Sequence, residues 1–241
     1  MLRGLHVAIG FLTRLPVPAP PFDDKTAQST SVAWYPLVGA LIGGLLCALA
    51  WILQGAPALL SAALIVTAWV VLTGALHLDG LADSADAWIG GLGDRERTLQ
   101  IMKDPRSGPA GVIALVLVLL LKFAALASLG ASAYLPLLLA PVLARAALTA
   151  LFVWMPYARR DGLGTPLLQA SPGACCWALG ATVLLSLFFG RQGLSAIVAA
   201  ILVWLLWRRA CLQRIGGFTG DTAGALAEMV EVAVLIAFAV H

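Results

Sequence analysis

Long apolar segments separated by short polar segments dominate this chain. Such segments suit membrane helices, because a helix needs about 20 mostly apolar residues to cross the hydrocarbon core of a bilayer. The apolar segments cover residues 32–53, 56–77, 108–129, 131–154, 173–189, 194–207 and 221–240. The fifth and sixth are short for a span. The pattern predicts an all-α fold, a polytopic integral membrane helical bundle with about seven transmembrane helices.

The first 15 residues show a different pattern, which is typical of a helix lying at the membrane surface. Leu5, Ile9 and Leu12 recur at helical spacing, and Arg3 and Arg14 flank them. This arrangement presents one apolar stripe to the lipid and keeps the charges in the headgroup region. We therefore predict an N-terminal interfacial helix ahead of the seven spans.

Composition and charge agree with a membrane location. Hydrophobic residues make up 61% of the 241 positions and charged residues 11%, whereas soluble domains carry about 25% charge. Under the predicted topology, 12 of the 15 basic residues fall on one side of the membrane: Arg3, Arg14, Lys25, Arg95, Arg97, Lys103, Arg106, Arg159, Arg160, Arg208, Arg209 and Arg214. Basic loops mark the cytoplasmic side. The pattern predicts a multi-pass membrane protein with its polar segments in the cytoplasm, and the net charge of +3 needs no nucleic-acid partner.

Three carboxylates appear together where the second apolar segment ends. Asp79, Asp83 and Asp86 stand at i, i+4 and i+7 and so share one face of a helix. Because the three negative charges repel one another, we expect a cation among them. Mg²⁺ is favoured because it binds through a few carboxylates together with substrate phosphates. We expect the second span to continue through this segment as one rigid helix. His77 precedes the carboxylates and is interpreted as a hydrogen-bonding partner or a general base.

A second polar cluster precedes the third span. Lys103 and Arg106 flank Asp104, and the Ser107–Gly108 pair adds backbone donors at a helix start. These residue types bind phosphate oxygens, although the same charges are also an ordinary topology signal. Because the third span returns to the surface that the second one leaves, this cluster is expected near the aspartate face.

A third polar cluster lies at the glycine-rich stretch 216–225 and in the last span. Asp221, Glu228 and Glu231 lie near one stripe of that helix, and carboxylates within a span are costly unless they pair or face a polar cavity. Lys122 and Arg145 also fall inside predicted spans. These two bases either form structural ion pairs with the glutamates or line a cavity for an anionic substrate, and the sequence leaves both open.

With these clusters in place, the chain resembles the cobalamin synthase (adenosylcobinamide-GDP ribazoletransferase) family. The resemblance rests on residues 11–18, 77–86, 101–104 and 216–225 with Glu228 and Glu231. It implies a multi-pass transferase of the cell inner membrane, with one membrane-embedded phosphotransferase domain over residues 1–241. The implied reaction joins α-ribazole, or its 5′-phosphate, to adenosylcobinamide-GDP with release of GMP, which completes the nucleotide loop of cobalamin.

The resemblance also implies Mg²⁺ as cofactor and assigns roles to the clusters. Asp79, Asp83, Asp86 and Asp221 are the expected catalytic metal ligands, with Asp221 as an alternative base. The expected substrate-binding residues are His77, Lys103, Asp104, Arg106, Glu228 and Glu231. Two alternatives stay open: a CDP-alcohol phosphotransferase that makes a phospholipid, and an ion-coupled carrier that uses the intramembrane charges. Homo-oligomerisation is also left open.

Overall fold

The fold is helical throughout the residues that the structure describes. A computed structural model describes residues 2–18, 24–130, 133–159 and 165–240, and no strand occurs in these ranges. The helices are α1 (Leu2–Leu12), α2 (Lys25–Ser31), α3 (Tyr35–Ile52), α4 (Ala58–Thr73), α5 (Leu76–Gly90), α6 (Arg95–Ile101), α7 (Pro109–Leu129), α8 (Tyr134–Trp154), α9 (Pro172–Leu187), α10 (Gly190–Ile215) and α11 (Gly220–Ala239). Arg160 and Ala131, used in the sequence predictions, lie outside the described residues. The predicted all-α membrane bundle is confirmed.

Two helices form the centre of the bundle and the others surround them. Helices α8 and α11 are buried along most of their length. By contrast, α7 exposes a row of large apolar side chains, among them Val112, Val116 and Leu120. A helix with apolar residues on its outward face is stable in contact with lipid. The exposed apolar faces therefore mark the lipid-facing surface, and the buried polar residues of α8 and α11 lie inside the protein.

The described residues contain fewer candidate spans than the seven predicted. Within them, five helical segments are long and apolar enough to cross a membrane: residues 25–52 as one unit, α7, α8, α10 and α11. Helices α4 and α5 make a sixth if they count as one bent span. Helix α9 has 16 residues and is thus about 24 Å long, less than the roughly 30 Å of a hydrocarbon core. Helix α10 is longer than predicted, since helical structure continues past the apolar run through Arg208 and Arg209.

The second span is broken, and the prediction of one rigid helix through it was wrong. The axes of α4 and α5 differ by 89°. The cause is local, because Gly74 and Ala75 both adopt the left-handed conformation, with φ of 63° and 57°. The Arg14 side chain packs over Gly74, and the Arg14 N–H donates to the Leu72 carbonyl at 2.8 Å. The residues that follow α1 thus contact the bend, and α5 is free to pack against α7 and α11.

The predicted N-terminal helix is present as α1. Val7, Ala8 and Leu12 are buried, whereas Leu2 and Phe11 are exposed. Gly4 allows close contact with α2, since a β-carbon at this position would lie 2.6 Å from the Thr30 hydroxyl oxygen. The helix therefore packs on the body of the protein as well as presenting apolar side chains outward.

Candidate active site

Helices α5 and α11 pack unusually closely, and this contact brings two of the predicted clusters together. A β-carbon on Gly80 would lie 2.6 Å from the Asp221 carbonyl oxygen. A β-carbon on Gly224 would lie 3.1 Å from the His77 carbonyl oxygen. Glycine at both positions lets the two backbones approach each other. The acidic face of α5 consequently meets the first turn of α11.

The four predicted metal ligands gather at this contact. Asp83 lies within electrostatic range of Asp79, Asp86 and Asp221, with Asp79 the strongest of the three, and Arg159 is the nearby positive charge. Asp79 is exposed, whereas Asp83, Asp86 and Asp221 are half-buried. Among the described residues, no three acidic, histidine or cysteine side chains converge closely enough to form a preformed metal site. The cluster is an open acidic cleft.

Asp86 has a role that the sequence prediction missed. The Gly108 N–H donates to one of its carboxylate oxygens at 2.6 Å, and the Gly111 N–H donates to the other at 2.9 Å. Asp86 thereby satisfies free backbone donors at the start of α7, where the helix dipole favours negative charge. Its two oxygens are already engaged, so Asp86 joins α5 to α7.

Asp221 is engaged by a partner that the sequence prediction also missed. Arg159 Nη2 donates to Asp221 Oδ2 at 2.7 Å, and the Thr219 hydroxyl donates to the same oxygen at 3.4 Å. Two backbone hydrogen bonds hold the segment before Arg159 against the segment before Asp221. The Ala158 N–H donates to the Phe218 carbonyl at 2.8 Å, and the Phe218 N–H donates to the Pro156 carbonyl at 3.0 Å. The sequence offered only a basic loop residue, which was interpreted as a topology signal.

The carboxylates in the cleft suit the Mg²⁺ ion that the resemblance implies. Asp79 and Asp83 lie one helical turn apart, and neither accepts a hydrogen bond from a described residue. Mg²⁺ in phosphate-processing sites is held by one or two protein carboxylates together with water and substrate phosphates. Two free carboxylates at the mouth of a cleft fit that mode of binding. Asp221, already paired with Arg159, faces them from α11.

The predicted phosphate cluster returns to this surface, but its side chains do not contact the carboxylates. The Gly108 N–H donates to Asp86, and the Met102 sulfur lies 3.7 Å from the Thr219 hydroxyl oxygen, so the turn at 102–108 does reach the cleft. Arg106 instead donates to Asp104 at 2.8 and 3.0 Å. These hydrogen bonds lower the pKa of Asp104 to about 2. Lys103 is exposed.

A buried ionic network lies below the cleft, and it contains the other residues predicted to bind substrate. Lys122 Nζ donates to Glu228 at 2.7 Å and to Glu231 at 2.5 Å. Arg145 donates to the other carboxylate oxygen of Glu231, and its second amino group lies 3.3 Å from His77 Nδ1. All five side chains are at most 4% exposed. The geometry favours structural ion pairs over an open site for an anionic substrate.

This network joins four helices at one point. Lys122 comes from α7, Arg145 from α8, His77 from α5 and the two glutamates from α11. A guanidinium can only donate, so His77 Nδ1 accepts and the ring carries its proton on Nε2. Two positive and two negative charges balance, as buried ions require. The network thus holds α11 and α5 in the arrangement that forms the cleft above it.

A cavity of about 390 Å³ opens beside the carboxylates. Its polar wall includes His77, Asp79, Arg159 and Asp221, and its remaining lining is apolar. A cavity that combines apolar walls with a few convergent polar groups is the usual form of a small-molecule site. The candidate active site therefore consists of an acidic cleft and an adjoining pocket.

Comparison with known proteins agrees with the motifs. A family profile described as cobalamin-5-phosphate synthase matches residues 4–239. The adenosylcobinamide-GDP ribazoletransferase of Pseudomonas paraeruginosa (strain DSM 24068 / PA7) is 55% identical over 99% of this chain and 98% of its own length. The proteins of that name from Pseudomonas aeruginosa (strain UCBPP-PA14) and Stutzerimonas stutzeri (strain A1501) are 54% and 52% identical, over 99% and 98% of this chain and 98% of their own lengths.

No solved structure is significantly similar to this chain. The family profile nevertheless spans all of the motifs on which the resemblance rested, from α1 to the last residue of α11. The chain belongs to the cobalamin-5-phosphate synthase family.

Proposed function

We propose that this protein is an adenosylcobinamide-GDP ribazoletransferase. A ribose hydroxyl of α-ribazole, or of its 5′-phosphate, attacks the cobinamide-side phosphate of adenosylcobinamide-GDP, a new phosphate ester forms, and GMP leaves. The observation that carries the proposal is the 55% identity to a protein of that name over 99% of the chain. The family match does not favour the CDP-alcohol phosphotransferase alternative.

The acidic cleft suits this reaction. Asp79 and Asp83 would hold Mg²⁺, which when bound supplies the positive charge that neutralises diphosphate oxygens. Asp221 lies across the cleft from them and accepts from Arg159 at 2.7 Å. Its remaining carboxylate oxygen is free to accept a hydrogen bond from the attacking hydroxyl or to join the metal shell. Arg159 orients that carboxylate through this hydrogen bond.

The exposed bases beside the cleft complete this proposal. Lys103 and Arg106 lie on the turn that Gly108 ties to Asp86. They provide positive charge that attracts the diphosphate, and the exposed Arg106 can exchange its contact with the half-buried Asp104 for a phosphate oxygen. The concentration of basic residues on this side of the bundle supports a cytoplasmic active site in an inner-membrane protein.

Product analysis with purified protein tests the proposal. The protein in detergent, given adenosylcobinamide-GDP, α-ribazole and Mg²⁺, should release GMP in proportion to cobalamin formed. Asp83→Asn should lower this rate at least about 100-fold without loss of folding, since it removes one of the two free carboxylates. Glu96→Gln, a change at an exposed carboxylate on α6, is the matched control. Absence of GMP release by the wild-type protein would overturn the assignment, and near-normal turnover by Asp83→Asn would overturn the proposed site.

A further inference from the structure

Five aromatic side chains form a continuous series along the pocket beside the cleft. In spatial order they are Phe11, Tyr35, Phe152, Phe218 and Tyr157, and all five line the cavity. The ring centroids of successive members lie 6.4, 6.3, 5.1 and 5.2 Å apart. The residues come from α1, α3, α8 and the two segments joined by the Tyr157–Phe218 bridge. Five elements that are distant in sequence therefore contribute one aromatic cluster, in which Tyr35 and Phe218 are each only 1% exposed and Phe11, Phe152 and Tyr157 keep accessible surface.

The opposite part of the pocket is polar. Gly220 has open space beside it, with nothing within 4 Å of where a β-carbon would lie, whereas Gly80 and Gly224 line the pocket where α5 and α11 are in close contact. Asp79 and Asp221 lie at its edge, where carboxylate oxygens can accept hydrogen bonds from hydroxyl groups. The pocket thus has an aromatic end and an end rich in hydrogen-bond acceptors, and the latter is continuous with the acidic cleft.

We propose that this pocket binds the acceptor nucleoside, with its flat bicyclic base against the aromatic series and its ribose hydroxyls toward Asp79 and Asp221. This inference rests on the proposed function. Aromatic rings bind a planar, uncharged base by stacking and edge-to-face contact. A base held in this way places the ribose hydroxyls at the carboxylates where phosphate transfer is proposed to occur.

The small volume of the pocket and the negative charge at its edge exclude adenosylcobinamide-GDP. A volume of about 390 Å³ is at the lower end of the range of ligand sites, which runs from about 300 to 1,000 Å³. A nucleoside fits that volume, whereas a corrinoid carrying GDP does not. The carboxylates at the edge would also repel a diphosphate that entered the pocket without a cation. The larger substrate therefore approaches from the open side of the cleft.

Substitution of the aromatic residues tests this assignment. Phe152→Leu keeps an apolar side chain in the wall but removes the ring, and Phe11→Leu does the same at a position that is 41% exposed and so tolerant of change. Each should raise the KM for α-ribazole about fivefold to tenfold and leave the KM for adenosylcobinamide-GDP within about twofold, because one aromatic contact is lost. Phe189→Leu, a half-buried phenylalanine outside the pocket, is the matched control and should alter neither constant.

Equilibrium dialysis with α-ribazole alone separates this inference from the proposed function. The wild-type protein should bind α-ribazole without Mg²⁺ or the second substrate, and both pocket variants should bind it about fivefold to tenfold more weakly. If the wild-type protein releases GMP but both variants keep the wild-type affinity for α-ribazole, the pocket assignment is wrong and the function stands. If the wild-type protein releases no GMP with either substrate form, the function itself is wrong. Should Phe152→Leu fail to fold, Phe11→Leu decides the outcome.

Discussion

The buried ionic network makes a quantitative prediction about stability. Lys122 is 3% exposed and contacts both Glu228 and Glu231, and it lies 4.6 Å from the centre of the Trp69 ring. Glu228→Gln would leave two buried positive charges facing one negative charge. Lys122→Met would leave one positive charge facing two negative charges. Each single substitution therefore creates one uncompensated charge inside the bundle.

The number of uncompensated charges determines how much stability each variant is expected to lose. Breaking a buried ion pair by removing one partner costs about 3–5 kcal/mol, because the remaining charge stays desolvated. The double variant Lys122→Met/Glu228→Gln leaves Arg145 and Glu231 as a balanced pair. It should lose only about 1–3 kcal/mol relative to the wild type. The coupling energy between the two positions should then be about 3 kcal/mol or more.

The assay is reversible unfolding in mixed micelles, followed by tryptophan fluorescence as the fraction of denaturing detergent rises. The assay compares the wild-type protein with the two single variants, the double variant and Glu96→Gln, which serves as the control. A double variant destabilised by the sum of the two single effects would refute direct coupling. Single variants with wild-type stability but a raised KM for adenosylcobinamide-GDP would show instead that the network binds the anionic substrate.

Three further predictions concern the cleft. Asp86→Ala should destabilise the protein by about 1–2 kcal/mol in the same unfolding assay, because the amides of Gly108 and Gly111 lose their acceptor. Gly80→Ala should cost about 1–3 kcal/mol and reduce GMP release, because the new methyl group would press on the backbone of α11. Gly44→Ala, where nothing lies within 4 Å, is the control. Chelation of divalent cations should abolish GMP release reversibly and leave α-ribazole binding intact, and metal-independent turnover would contradict the proposed cofactor.

The sequence predicted the local placement of the acidic residues of α5, because that placement depends only on helical spacing. The helical repeat places Asp79 and Asp83 on one face whatever the tertiary structure. By contrast, the glycines at positions 80 and 224 lie in the close contact between α5 and α11, which the sequence did not predict. Apolar length likewise predicted the helices that cross the membrane.

The sequence could not assign partners between distant segments. Pairing of Lys122 and Arg145 with Glu228 and Glu231 was one of the two alternatives that the sequence left open, because it depends on how α7, α8 and α11 pack. Arg159 looked like any basic loop residue until its contact with Asp221 was seen. A charge pattern shows that ions need partners, and the helix packing determines which ones meet.

Two structural features lacked a sequence signal altogether. Gly74 permits a left-handed turn, but the neighbouring Ala75 gives no indication of one, so the 89° bend was not predicted. Phe152 lies in an apolar segment where phenylalanine is ordinary, and Phe218 lies more than sixty positions later in the glycine-rich stretch. Their edge-to-face contact at 5.1 Å arises only when α8 and the start of α11 come together.

The most direct test of the account is divalent-cation binding at the acidic face of α5. Mn²⁺ in place of Mg²⁺ can be followed by electron paramagnetic resonance in the presence of adenosylcobinamide-GDP. The account predicts saturable binding to the wild-type protein and to Glu96→Gln, and an affinity at least about tenfold lower in Asp79→Asn and Asp83→Asn. Equal Mn²⁺ affinity in all four proteins would contradict the claim that these two carboxylates hold the metal.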